Sequence, residues 1–224
     1  MRPPFKPESS NGTGQWGRGQ SSRASRTVWS THQPSDTLSQ YVFATPFGWM
    51  GLLGGAEGLI AVNLGEATEP EAWAALEATT LGMSDALVGA TVQPAKSPRS
   101  LPPAMAEAVE TLRAYFRDGR VDLSTIQIDI RSGTPLQRRI WEATRGIAAG
   151  ETSSYKGLAE RVGLPRGARP TGQAMARNRL LLVVPCHRVV SSSGALTGYS
   201  NPQGLCLKQR LLDHEQAGAG VGRR

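Results

Sequence analysis

The chain has 224 residues, 39% of them hydrophobic, which is enough for one large or two small globular domains. Two cysteines and three histidines exclude a disulfide scaffold and a four-cysteine zinc site, so we expect no metal and no cofactor. The net charge of +7 divides into +3 over residues 1–37, −6 over 38–130 and +10 over 131–224, and the last segment favours a polyanionic partner such as nucleic acid, although a solvated basic face has the same composition.

The chain begins with a segment that predicts disorder and continues with short strands. Residues 1–37 are rich in Ser, Gly, Gln, Arg and Pro, a composition typical of a disordered tail. Residues 41–45, 48–53 and 58–64 have strand composition and are separated by turns that contain glycine. This part of the sequence predicts a small antiparallel sheet.

Two helices and a further strand are predicted before the middle of the chain. The helices cover residues 71–79 and 104–117, the second of them from the helical spacing of its apolar residues, and a loop rich in proline lies between the two. Alternating isoleucines predict a strand over 123–130. A domain boundary is expected at 130/131, close to a Ser-Gly-Thr-Pro sequence that follows this strand.

The segment 131–217 predicts a second, mainly helical domain, followed by a flexible tail over 218–224. Its first three helices are predicted over 136–146, 154–162 and 168–177. The short turn with glycine between the last two is typical of a helix-turn-helix unit. The third helix and the residues after it offer small side chains for close approach to DNA and arginines for its backbone: Arg169, Gly172, Ala174, Ala176, Arg177 and Arg179.

A thiol with polar neighbours follows the apolar run Leu180–Val184, which we interpret as a buried strand. The sequence there is Pro-Cys-His-Arg-Val-Val, with the thiol at Cys186. A cysteine becomes nucleophilic when an imidazole or a cation favours its thiolate, and His187 and Arg188 supply both groups. A small buried hydrophobic cysteine is the alternative, but the adjacent His and Arg make it the weaker one.

These residues resemble the O6-alkylguanine-DNA alkyltransferase family, also called methylated-DNA–protein-cysteine methyltransferases. The resemblance is weak over 41–130 and strong over 137–215, where the Gly-Glu-Thr-Ser-Ser-Tyr segment at 150–155, the segment 169–178, the cysteine hexapeptide and the stretch 194–200 keep the family's order and spacing. It implies an α+β protein with a ribonuclease-H-like N-terminal domain and a winged helix-turn-helix-like C-terminal domain.

The resemblance also implies a repair reaction that each molecule performs once. The protein would bind duplex DNA, flip out an alkylated guanine (or O4-alkylthymine) and transfer the alkyl group irreversibly to Cys186. His187 would be the base, acting through a water molecule; Glu215 would orient it, and Tyr155 would donate a proton to the leaving guanine. Asn178 would be the hinge residue, and Arg169 would fill the space that the flipped base leaves.

The remaining implied positions line the pocket for the alkylated base: Met175, Val190, Tyr199 and Ser200. The chain departs from the family where Arg179 follows the hinge asparagine in place of proline, and where the loop 201–204 is longer than the usual glycine pair. The expected partner is double-stranded DNA that contains O6-alkylguanine, with no membrane partner, and the protein is expected to act as a monomer in the cytoplasm, near the nucleoid, or in the nucleus of a eukaryote.

Three other functions fit parts of the sequence. A non-enzymatic protein that binds lesions would share the DNA-binding fold but would lack the acceptor cysteine. A thiol hydrolase would use Cys186 and His187 but would leave the basic domain unexplained. A transcription factor that senses alkylation would require a sensor domain, which this composition does not suggest.

Overall fold

The computed structural model describes residues 37–83, 87, 89–199, 201 and 203–221. The predicted disordered tail lies outside the described residues except for Thr37, and so does Ser200 of the predicted pocket. Within the described part of the chain, no helix combines the length and the apolar character that crossing a bilayer requires.

Three antiparallel strands form most of an N-terminal sheet: β1 (Thr37–Thr45), β2 (Gly48–Gly55) and β3 (Gly58–Glu66). A fourth strand, β4 (Thr91–Pro94), pairs with β1 in parallel, so the sheet is mixed, in the order β3-β2-β1-β4. The three predicted strands pair antiparallel as expected, whereas the parallel strand β4 was not predicted. A strand of four residues that ends in proline has too little alternation to stand out in the sequence.

Two helices cover the sheet. Helix α1 (Glu69–Leu81) begins with a capping box between Thr68 and Glu71 and packs its buried Leu76 against one face. Helix α2 (Pro103–Arg117) buries Met105, Val109, Leu112 and Phe116 among the residues of the other face, which confirms the prediction from their spacing.

The predicted strand over 123–130 was wrong. Residues Leu123–Thr125 form a 3₁₀ turn, and only Ile128 makes an isolated bridge, to Leu59 of β3. Leu123 and Ile126 are buried, and Ile128 and Ile130 are partly buried against the same core. The alternating isoleucines therefore indicated burial, but the segment does not form the continuous hydrogen-bond ladder of a strand.

Among its described residues, the C-terminal part contains four α-helices and a two-stranded parallel pair. They are α3 (Pro135–Arg145), β5 (Ser153–Ser154), α4 (Tyr155–Arg161), α5 (Ala168–Ala176), β6 (Val189–Val190) and α6 (Gly204–Val221). Helix α6 continues to Val221, past residue 218 where the C-terminal tail was expected to begin, and 222–224 lie outside the described residues. One apolar cluster contains Val62 of β3 together with Ile140, Leu158 and Leu207 of these helices.

Candidate active site

The apolar run before the cysteine is buried but is not a strand. Val184 N–H donates to the Leu180 carbonyl at 2.8 Å, and Leu182 has a φ of 73°, so the run folds into a tight turn. Its start is fixed to the N-terminal sheet, because Val62 N–H donates to the Arg179 carbonyl at 2.7 Å. A continuous apolar run reports burial on all sides and does not distinguish a strand from a buried turn. Cys186 follows in a 3₁₀ turn with His187 and Arg188.

A fully buried carboxylate organises this turn. Glu215 of α6 accepts hydrogen bonds from His187 Nε2 at 2.8 Å, from Tyr115 Oη at 2.8 Å and from the Gly150 amide at 2.9 Å. Arg188 donates to it through Nη2 at 2.8 Å and through Nε at 3.1 Å to each oxygen. Burial alone would raise the pKa of Glu215, but the bonds and charges of His187 and Arg188 lower it to about 2. The carboxylate is therefore ionised, and it is not the exposed glutamate that its position near a helix end would suggest.

The tautomer of His187 follows from this carboxylate. An ionised carboxylate only accepts, so Nε2 carries the ring proton and Nδ1 holds the free lone pair. Nδ1 is buried and has no hydrogen-bond partner among the described residues. Burial lowers the pKa of His187, and Arg188 opposes the effect of Glu215 by lowering it further. The imidazole is therefore a neutral base with a vacant acceptor.

The thiol of Cys186 is held by Asn178. Asn178 Nδ2 donates to the Val184 carbonyl at 2.9 Å and to Cys186 Sγ at 3.3 Å, while its Oδ1 accepts from the Leu180 amide at 2.9 Å. Burial raises the pKa of Cys186, and the bond from Asn178 and the charge of Lys208 offset this only in part. The resting thiol is thus protonated and has to lose its proton when it reacts.

Arg188 does not serve the thiol as the sequence suggested. Its guanidinium binds Glu215 and the Ile147 carbonyl, at 2.6 Å for the latter. The cation whose charge lowers the pKa of Cys186 is Lys208, a fully buried residue of α6 whose Nζ donates to the carbonyls of Val189 and Thr197. Neither Lys208 nor Tyr115 was identified from the sequence, because a lysine in an amphipathic helix is normally exposed.

A cavity of about 300 Å³ opens in front of the thiol. Its lining contains Cys186 and residues of α4, α5 and the loop after β6, namely Tyr155, Gly172, Met175, Ala176, Gly198 and Tyr199. Met175 and Tyr199, which were expected to line the pocket for the alkylated base, thus line the cavity that contains Cys186. Val190, also expected in the pocket, is buried in β6, where it pairs with Ser154, and it is not among the residues that line this cavity.

Tyr155 follows Ser154, the N-cap of α4, and its phenol reaches the cavity. Its hydroxyl donates to the Thr197 carbonyl at 3.4 Å, and its ring lies 4.0 Å from the position that a Cβ on Gly172 would occupy. Burial raises the pKa of Tyr155, so the phenol is a proton donor at neutral pH. Gly172 thus lies beside the Tyr155 ring and is only partly exposed.

Helices α4 and α5 form the predicted helix-turn-helix unit. Arg169 at the start of α5, and Arg177 and Arg179 after its end, are exposed, and Arg179 Nη2 donates to the Gly82 carbonyl at 3.3 Å. Ala174 is 2% exposed, and Trp141 Nε1 donates to its carbonyl at 3.0 Å. Its predicted place on a DNA-facing surface was therefore wrong, because its small side chain serves packing against α3.

Comparisons with known proteins show which family this chain belongs to. Residues 135–217 match the family model described as "6-O-methylguanine DNA methyltransferase, DNA binding domain". The methylated-DNA–protein-cysteine methyltransferase of Mycolicibacterium paratuberculosis is 48% identical over 115 residues, which are 51% of this chain and 67% of that protein. This chain belongs to the same family.

This chain is also similar to other members of the family. The constitutive enzyme of Bacillus subtilis is 42% identical over 51% of this chain and 67% of its own length. The crystal structure of the Mycobacterium tuberculosis O6-methylguanine methyltransferase covers 80% of this chain and 93% of its own, with 31% identity and a TM-score of 0.60. That protein has also been crystallised in complex with DNA, with the same TM-score to this chain.

Proposed function

We propose that this protein repairs DNA by direct reversal, moving the alkyl group of O6-alkylguanine irreversibly to Cys186, once per molecule. The observation that carries the proposal is the position of Sγ. It faces a cavity on one side and accepts a hydrogen bond from Asn178, and the next residue in the chain is a neutral histidine that is hydrogen-bonded to its carboxylate. A nucleophile, a base and a group that orients the base are the parts that covalent catalysis requires.

The proton steps follow from the atoms available. His187 Nδ1 takes the proton of Cys186 through a bridging water, because side chains adjacent in sequence do not face each other. Sγ then forms a bond to the alkyl carbon while the bond from that carbon to O6 breaks and its electron pair stays on guanine. Tyr155 donates a proton to the leaving guanine, which leaves Tyr155 as a phenolate and His187 as an imidazolium. Return of a proton from His187 to Tyr155 through water restores both residues, so the net change moves the thiol proton to guanine.

DNA would reach this cavity across the helix-turn-helix unit. Exposed Arg169 and Arg177 at the two ends of α5, with Arg179 beyond, provide positive charge for the phosphate backbone. The target base has to leave the duplex, since the thiol lies within a cavity, and Arg169 would take the place of the flipped base in the stack. The match over 135–217 supports a boundary at 130/131 between this part and a supporting N-terminal domain.

We propose a monomer as the acting unit, since one chain supplies Cys186, His187, Glu215 and Tyr155. A reducing compartment, the cytoplasm or the nucleus, fits a reaction that consumes a free thiol. O4-alkylthymine is proposed as a second substrate.

The mass of the intact protein tests this proposal. After incubation with a duplex that contains O6-methylguanine, we expect the protein to gain one methyl group, located on Cys186 by peptide mapping. Cys206, which is exposed, serves as the internal control and should stay unmodified. Methylation of Cys206, or of the Cys186→Ser variant, would contradict the proposal.

A further inference from the structure

One wall of the cavity in front of Cys186 is held mainly through its backbone. Gly198 and Tyr199 form this wall. The Tyr199 hydroxyl is buried and has no hydrogen-bond partner in the described part of the chain. Before the wall, the Thr197 carbonyl accepts from Lys208 Nζ at 3.0 Å and from Tyr155 Oη at 3.4 Å. The position of Tyr199 therefore depends on the anchors at the two ends of this short segment.

The anchor after Tyr199 joins the wall to the N-terminal sheet. The Asn201 amide donates to the Tyr199 carbonyl at 2.9 Å, and Asn201 Nδ2 donates to the Leu64 carbonyl of β3. Gln203 Nε2 donates to the Gly65 carbonyl of β3 at 2.6 Å. Asn201 Oδ1 also accepts from the Gln203 backbone N–H at 2.8 Å, so the Asn201 side chain is tied to the backbone of the second anchoring residue.

The orientation of the side-chain amide of Gln203 is fixed by Arg210. Arg210 Nη1 donates to Gln203 Oε1 at 3.1 Å, and its Nη2 donates to the Pro46 carbonyl at 3.1 Å. Gln203 Nε2 is thereby turned toward the sheet, where it also lies 3.4 Å from the Phe47 carbonyl. Side-chain amides that donate to backbone carbonyls are directional and lose their bond when the donor is removed.

The sheet accommodates this anchor at Gly65. Gly65 has a φ of +99°, and a Cβ there would lie 3.1 Å from Gln203 Nε2 and 3.3 Å from Asn201 Nδ2. Such contacts are tighter than side chains normally make, so the absence of a side chain at this position allows both amides to reach the strand.

We propose that Asn201 and Gln203 are positioning residues that set the width of the alkylguanine pocket by fixing the Tyr199 wall to β3. This inference rests on the proposed function. A methyl group is small, and its reaction depends on a wall that holds the base close to Sγ. A benzyl group needs more space, and a wall released from β3 provides it. The N-terminal sheet thereby selects for adduct size without contacting the substrate.

The test compares two duplexes, one with O6-methylguanine and one with O6-benzylguanine, and measures the second-order rate constant of alkyl transfer for each. In the double variant Asn201→Ala, Gln203→Ala we expect the benzyl-to-methyl ratio of rate constants to rise at least threefold over that of the unaltered protein. A smaller rise, or a fall, would overturn the inference. An unaltered protein that transfers neither group would instead contradict the proposed function.

Two further variants separate positioning from stability. Gln203→Glu keeps the size of the side chain but cannot donate to the Gly65 carbonyl, so it should raise the same ratio and decides the question if the double variant does not fold. Arg145→Gln is the matched control. Arg145 Nη2 donates to the carbonyls of Ser124 and Ile126 at 2.5 and 2.6 Å, far along the chain from the Tyr199 wall. In Arg145→Gln the benzyl-to-methyl ratio of rate constants should stay unchanged. A rise equal to that of the double variant would show that a general loss of stability, and not release of the Tyr199 wall, changes the ratio.

Discussion

Arg188 and Glu215 form a buried ion pair in which Nη2 lies 2.8 Å from Oε1, the same oxygen that His187 Nε2 contacts at 2.8 Å. The guanidinium balances the carboxylate, so the imidazole can stay neutral beside it. A neutral imidazole is able to accept the thiol proton, whereas a permanently protonated one is not. The pair therefore sets the protonation state of the site as well as its geometry.

Replacing Glu215 tests this ion pair. Glu215→Gln leaves the Arg188 charge buried without a counter-charge, which should lower the free energy of unfolding by about 3 kcal/mol. It also removes the group that fixes the His187 tautomer, and the rate of alkyl transfer should fall by about 100-fold or more. Denaturant unfolding and single-turnover kinetics measure the two effects.

The matched control is Glu110→Gln, which removes an exposed partner of Arg113 on α2. An exposed pair of this kind contributes about 0.5 kcal/mol, so stability and rate should change little. An equal loss of stability in both variants would mean that Glu215 does not neutralise a buried charge.

The pH dependence has a definite sign. Glu215 and His187 both have a lower pKa in the folded chain than when unfolded, to about 2 for Glu215. Each thus contributes stability above its unfolded pKa, about 4.3 for glutamate and about 6.5 for histidine, and loses it as the pH falls toward the folded value. Melting temperatures should fall steadily from about pH 6.5 to pH 3.

The transfer rate over the same range checks the state of His187. Because its folded pKa is lowered, the rate should show no step centred near pH 6.5. A step in the rate at or above that pH, or an NMR resonance assigned to His187 that titrates there, would mean that Glu215 holds His187 as an imidazolium.

Asn178 offers a test of the thiol's environment. Asn178→Asp replaces the donor at 3.3 Å from Sγ with a carboxylate that repels a thiolate, whereas Asn178→Ala only removes the donor. We expect both to slow transfer, with Asp slower than Ala by about tenfold because each unit of cysteine pKa changes the thiolate population tenfold. The rate at which a small alkylating reagent modifies Cys186, measured across pH, reports the pKa of that cysteine directly. Equal rates for Asp and Ala would mean that Asn178 acts only on the backbone of the turn.

Much of the site could be predicted from the sequence because its signal is local. Cys186, His187 and Arg188 are consecutive, and the predicted helices over 136–146, 154–162 and 168–177 correspond to observed ones. Glu215 was assigned only through resemblance, and its bonds to Tyr115 and Gly150 join distant segments that no spacing in the sequence relates.

The errors of the sequence-based prediction share a physical cause: the size and polarity of a residue do not determine which other residues it packs against in the folded chain. Ala174 is small, which suits either a close approach to DNA or close packing, and the burial of Thr171 and Met175 on its helix face shows that packing applies. Lys208 is buried because two backbone carbonyls accept from its Nζ, a tertiary arrangement that its own sequence does not reveal. Leu180–Val184 is uniformly apolar, a composition shared by buried strands and buried turns.

Arg169 and Tyr155 should differ in which reaction they affect. Arg169→Ala should slow repair in duplex DNA much more than reaction with free O6-benzylguanine, because only the duplex reaction includes base flipping. Tyr155→Phe should slow both, since each requires a proton for the leaving guanine. Single-turnover rates on the two substrates measure this, and equal losses for Arg169→Ala would assign that residue to the pocket.

The stoichiometry of transfer with excess substrate is the sharpest test of Cys186 as an irreversible acceptor. With a tenfold molar excess of O6-methylguanine duplex over protein, repaired DNA should reach a plateau at one equivalent per molecule, with all the protein methylated on Cys186. Product that continues to accumulate beyond one equivalent, or a plateau with Cys186 unmodified, would contradict the assignment of Cys186 as an irreversible acceptor.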